Sequence, residues 1–154
     1  MSKAYFTVSQ ILIFAVLVFT YAGTVAAEEE PIVITSQMLT ADNKKDVAVF
    51  EGSVVAKSGD IVINCDKMEV YYSDSKEKIT KIRALGNVKV NKKERAIFSK
   101  EATYFWQEDK IVFTGEPKAV EGENVITGTE IVYFLKENRT IIKGSHVVIK
   151  NKKE

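Results

Sequence analysis

The sequence predicts an all-β domain made of one bent unit used repeatedly, and three observations carry that prediction. First, a unit that opens on an isoleucine and closes on a glycine recurs. Ile34 to Gly52, Ile97 to Gly115 and Ile126 to Gly144 each advance 18 positions. Ile63 to Gly86 advances 23, the same unit with a polar insertion at Ser73-Asp74-Ser75-Lys76-Glu77. Self-similarity at a period of about 30 residues belongs to stacked or wrapped arrays whose working part is a long surface or groove. Second, short polar clusters punctuate the chain, such as Asp42-Asn43-Lys44-Lys45 and Glu121-Gly122-Glu123-Asn124. Third, no segment of the domain sustains a helical period, and proline occurs only at Pro31 and Pro117.

The N-terminal segment stands apart from the fold. Lys3 gives a positive start, Ile11 to Phe19 is an unbroken apolar run, and Val25-Ala26-Ala27 offers small residues to a signal peptidase. Residues 1–27 read as a secretory signal peptide and residues 28–154 as one domain. The alternative is a retained membrane anchor, since Ala4 to Ala27 is long enough to cross a bilayer. No cysteine near the cleavage point is available for lipid attachment.

Charge and cysteine content narrow the partners. Of 22 basic residues one, Lys3, lies in the leader, so the domain balances at 21 basic and 21 acidic. That balance argues against nucleic acid, which needs a basic stripe, and against a polybasic grip on lipid headgroups. Cys65 is the only cysteine, which leaves no internal disulfide. Its place in Ile61-Val62-Ile63-Asn64-Cys65 suggests a small buried apolar residue.

The polar clusters at 42–45, 57–60, 73–78, 91–94, 107–110, 121–124 and 136–139 read as hairpin turns. Between them lie eight segments of about 10–13 residues rich in Val, Ile, Tyr and Phe. Each is interrupted near its middle by glycine or a small residue: Gly52, Gly86, Gly115 and Gly144 in alternate segments, Ser36, Ser99 and Gly128 in most of the others. Glycine inside a strand marks a bend or bulge. Eight bent segments predict about sixteen short strands in two facing sheets, a jellyroll-like antiparallel sandwich. A parallel β-helix is the competing architecture, disfavoured by the tight polar turns.

Alternation identifies an inner face. Tyr104 and Trp106 share a parity with Ala102, Ile131 and Tyr133 share one with Leu135, and Met68, Val70 and Tyr72 lie opposite Glu69 and Tyr71. Ile32 and Ile34 join them by position in the first strand. This face is either a plain sandwich core or, where the sheets splay, a lipid-binding groove.

Groups for catalysis are scarce. His146 is the only histidine, so no multi-histidine metal site forms and no nucleophile motif accompanies it. Asp66, Glu69, Glu101 and Glu130 read as members of a charge-balanced surface. We expect neither enzymatic activity nor a cofactor.

Five stretches carry a family resemblance. They are Pro31 to Ser36 with Val49-Phe50-Glu51-Gly52-Ser53-Val54, Ile61 to Val70, Ile82 to Val88 around Gly86, Phe113-Thr114-Gly115, and Val125 to Tyr133. In that order they resemble the OstA-like (LptA) family of the lipopolysaccharide transport system across residues 31–150. The resemblance implies a twisted, slightly open β-jellyroll in the periplasm that holds the lipid A acyl chains of lipopolysaccharide between its sheets. It also implies partners: inner-membrane LptC-like and outer-membrane LptD-like jellyroll domains, with further copies stacked head to tail. A membrane-anchored LptC-like clamp and a jellyroll carbohydrate-binding or structural envelope module are the alternatives. An open sandwich also predicts two free edges, at Ile32 to Ser36 and Ser145 to Lys150.

Overall fold

The computed structural model describes residues 30–75 and 78–150. The expected signal peptide, residues 1–27, lies outside them. The strands are β1 (Val33–Thr35), β2 (Met38–Asp42), β3 (Val47–Ser58), β4 (Ile61–Tyr72), β5 (Ile79–Lys92) and β6 (Arg95–Phe105). They continue with β7 (Lys110–Thr114), β8 (Lys118–Glu121), β9 (Asn124–Thr127), β10 (Glu130–Phe134), β11 (Arg139–Lys143) and β12 (His146–Val148). Every pairing is antiparallel, which excludes the β-helix.

Each of the eight segments is bent, and continuous hydrogen bonding divides them into twelve strands instead of the expected sixteen. The difference lies in β3 to β6, each of which runs unbroken through its corner. In the other segments, Ser36-Gln37, Gly115 to Pro117, Gly128-Thr129 and Gly144-Ser145 part the two arms.

Two of the corner pairings are two-against-one bulges. Between β3 and β4 the register jumps from Glu51↔Lys67 to Val54↔Cys65, so Gly52 and Ser53 oppose Asp66 alone. Between β5 and β6 it jumps from Leu85↔Glu101 to Val88↔Ser99, with Gly86 and Asn87 opposite Lys100. Gly86 and Asn87 both take positive φ, 74° and 46°, and the Asn87 Nδ2 donates to Asp66 Oδ2 at 2.8 Å. Two successive left-handed residues turn the chain sharply; glycine removes the Cβ conflict at the first, and asparagine tolerates the second.

The corners fold the ladder into two facing layers. The first holds β2, residues 47–51 of β3, 67–72 of β4, 79–85 of β5, 101–105 of β6, then β7, β10 and β11. The second holds β1, residues 54–58, 61–65, 88–92 and 95–99 of the same long strands, then β8, β9 and β12. Their inner faces meet in one core: Met68, Val70, Ile82, Phe113 and Ile131 from the first layer, Val54, Cys65, Val88 and Val90 from the second. No polar or charged residue among those described is buried.

The ladder does not close. Each layer ends in an edge on either side, so the described residues present four edge strands where the sequence suggested two: β1 and β2 at one end, β11 and β12 at the other. The exposed large apolar residues among those described are Val33, Met38, Leu39, Ile141, Val147, Val148 and Ile149. All belong to these edges or follow the last one directly.

Candidate functional site

Two apolar cavities lie between the layers. The first, about 320 Å³, is walled by Ile32, Ile61 and Ile63 from the second layer and its approach, and by Met68, Ile82, Tyr104, Ile111 and Leu135 from the first, with Trp106 at the turn. The second, about 410 Å³, is walled by Val90, Ile97, Ala119 and Ile126 facing Phe113, Tyr133 and Ile142. Ile61 and Ile111 line both, so the cavities adjoin along the axis of the stack. Neither cavity reaches a corner residue; both reach residues at or beside hairpin turns, including Ser58, Asp109 and Arg95. They therefore open on the side away from the corners.

The residues named from alternation divide into two groups. Ile32, Met68, Tyr104 and Trp106 line the first cavity, and Tyr133 lines the second. Val70 and Ile131 are core residues, while Ile34 and Tyr72 pack against the core without lining either cavity. Ile61, Ile63, Ile97, Ile111, Ile126 and Ile142 were missed. The inner parity of β4 passes from Ile61, Ile63 and Cys65 to Met68, Val70 and Tyr72, an odd-to-even switch at the corner. A pattern read from one arm does not carry into the other.

The rim differs between the cavities. At the first, Tyr104 Oη donates to Asp109 Oδ1 at 3.0 Å, and Lys136 stands 3.9 Å from Asp109 Oδ2. The rings of Tyr104 and Trp106 meet edge to face at 6.0 Å. At the second, Lys92 Nζ donates to Tyr133 Oη at 3.2 Å, and Arg95 Nε donates to Glu121 Oε1 at 2.9 Å. The Glu121 bond pushes the Arg95 guanidinium further up from its ordinary value.

Outside the groove the surface is charge-balanced. Arg83 bridges Glu101 and Glu69, Lys143 pairs with Glu130, and Lys67 reaches both Glu51 and Glu69. Outer-face aromatic rings carry cations: Lys81 lies over Tyr71 at 4.2 Å, Arg139 over Phe134 at 4.4 Å, and Lys89 and Lys118 flank Phe98. A covered ring is a poor sugar platform. Cys65 is buried, and burial, helped by the Asp66 charge, pushes its thiol up to about 11. His146 is exposed on β12, paired through the backbone with Thr127.

Comparison with known proteins agrees with this architecture. No individually curated protein matches the sequence. The crystal structure of LptH from Pseudomonas aeruginosa, the LptA homologous periplasmic component of the conserved lipopolysaccharide transport device, is similar with a TM-score of 0.71. The likeness covers 79% of this chain and 96% of that one at 17% identity, and at that identity it is a likeness of fold. A family model described as LptA/(LptD N-terminal domain) LPS transport protein matches residues 33–139, from the first residue of β1 to the first of β11. An open, corner-folded antiparallel jellyroll matched over that span makes this chain a member of the LptA/LptD N-terminal domain family of lipopolysaccharide transport proteins.

Proposed function

We propose that the protein is a periplasmic carrier that shelters the acyl chains of lipopolysaccharide between its two layers and forms part of a bridge from inner to outer membrane. The observation behind this reading is the pair of adjoining apolar cavities that share Ile61 and Ile111 and open away from the corners. A chain of about a dozen methylenes costs on the order of 10 kcal/mol to expose to water, at about 0.8 kcal/mol per CH₂. A dry groove removes that cost while the sugar stays solvated, and passage between similar modules is then nearly isoenergetic. Cleavage of residues 1–27 would release the domain into the periplasm.

The four apolar edges support the bridge. Strand addition of β11 or β12 of one copy onto β1 or β2 of the next is a heterologous contact, which propagates as a filament. The same edges would receive LptC-like and LptD-like jellyroll domains at the two ends.

Photo-crosslinking tests the groove. A photoreactive residue at Tyr104, Trp106 or Tyr133 captures lipopolysaccharide, whereas one at Glu69 or Glu130 on the outer face does not. Equal capture at both sets would sink the reading. N-terminal sequencing of the exported protein separates a free carrier, beginning near Glu28, from an anchored clamp.

A further inference from the structure

Lys92 and Tyr133 join the two layers across the mouth of the second cavity. Lys92 ends β5 in the second layer, and Tyr133 lies on β10 in the first. The ammonium donates to Tyr133 Oη at 3.2 Å and stands 5.5 Å from the ring centre; Tyr133 Oη in turn donates to Asn138 Oδ1 at 2.9 Å. No carboxylate among the described residues pairs with Lys92, while its cross-strand neighbour Arg95 is held by Glu121 and, at the first cavity, Lys136 faces Asp109. The charged residues lining the second cavity are thus Lys92, Arg95 and Glu121, an excess of one positive charge.

An ammonium resting on a neutral phenol is in a replaceable position. An anionic oxygen adds to that bond the Coulomb attraction of opposite charges, which a neutral phenol lacks. The cavity behind it, about 410 Å³, lies within the roughly 300–1,000 Å³ of ligand sites, and its walls are apolar. From this juxtaposition we infer that Lys92 is the headgroup anchor of the groove: it leaves Tyr133 to bind the anionic head of an amphiphile, a phosphate or carboxylate, whose chain occupies the second cavity. The inference rests on the groove reading and adds to it a charge preference and a place along the groove.

Calorimetric titration of the protein expressed from the full chain tests it, with dodecyl phosphate and dodecyl maltoside as probes below their micelle concentrations. Dodecyl phosphate binds about tenfold tighter at low salt, and the ratio shrinks as salt rises. Lys92→Gln removes about tenfold from phosphate affinity and about twofold or less from maltoside affinity. Lys92→Arg restores the preference, and Lys89→Gln, on the outward face of the same strand, leaves both affinities unchanged. Inorganic phosphate alone does not displace the bound amphiphile. Equal weakening of both probes by Lys92→Gln would make the residue a structural strut and overturn the proposal. So would a wild-type ratio near one at low salt, a measurement independent of whether any variant folds, or displacement by inorganic phosphate. Binding of both probes without discrimination removes the anchor and leaves the groove; binding of neither removes both.

Discussion

Gly128 and Lys143 approach so closely that a Cβ on Gly128 would stand 2.6 Å from the Lys143 carbonyl oxygen. That oxygen is fixed, because it accepts from Thr129 N at 2.9 Å and from Thr129 Oγ1 at 3.2 Å. The contact seats edge strand β11 against the corner between β9 and β10. Gly128→Ala forces the edge away and is expected to cost about 1–3 kcal/mol by urea unfolding. Thr129→Val, which loses only the hydroxyl bond, costs about 0.5–1.5 kcal/mol. A Gly128→Ala variant as stable as wild type would contradict the close packing.

Fully buried and half-buried residues should separate in a truncation series. Phe113 and Met68 are fully buried, so Phe113→Ala costs about 3–5 kcal/mol and Met68→Ala about 2–5. Trp106→Ala, half-buried beside a turn, costs clearly less in the same denaturation measurement. Wild-type Trp106 fluorescence shifts to the blue when an amphiphile enters the first cavity, and a spectrum unchanged at saturation would place the chain elsewhere.

Cys65 resists thiol reagents. Burial and then the neighbouring Asp66 charge raise its pKa to about 11, so thiolate is scarce near neutral pH. Labelling by a charged disulfide reagent is slow in buffer and fast in denaturant. Fast labelling of the folded protein would mean that the corner opens freely.

Glu69 makes part of the acid sensitivity. Burial alone would raise its carboxyl, but hydrogen bonds from Tyr71 and Lys67 and the charges of Lys67 and Arg83 outweigh burial and hold it below its ordinary value. A lowered folded-state value contributes stability above the ordinary value, lost as pH falls through the folded one. Glu69→Gln therefore costs about 0.2–1 kcal/mol at pH 7 and progressively less as acid protonates the carboxylate, read from urea midpoints. A gap that widened on acidification would reverse the sign.

Self-association should follow the edges. Sedimentation velocity of the protein shows concentration-dependent growth that is lost on deleting residues 145–154, with the monomer still folded. One unchanging species over a wide concentration range would rule out stacking of identical copies.

Turn chemistry and strand alternation are local, so the all-β class, the eight bent segments, the position of nearly every turn and the corners at Gly52, Gly86, Gly115 and Gly144 are legible along the chain. Alternation within one arm also placed Met68, Tyr104, Trp106 and Tyr133 on the inner side. How that face continues is settled by the folded ladder. At the corners between β3 and β4 and between β5 and β6 two residues stand against one, so the two-residue insertions at Gly52-Ser53 and Gly86-Asn87 preserve parity, while the single Asp66 and Lys100 opposite them invert it. Ile61, Ile63 and Ile97 consequently face inward with residues of opposite parity in their own strands, a relation set by cross-strand register and invisible along the chain. The four exposed edges and the Lys92–Tyr133 crossing belong to the same category. Both depend on where distant segments lie once the ladder is folded over, and residues 41 positions apart meet only then.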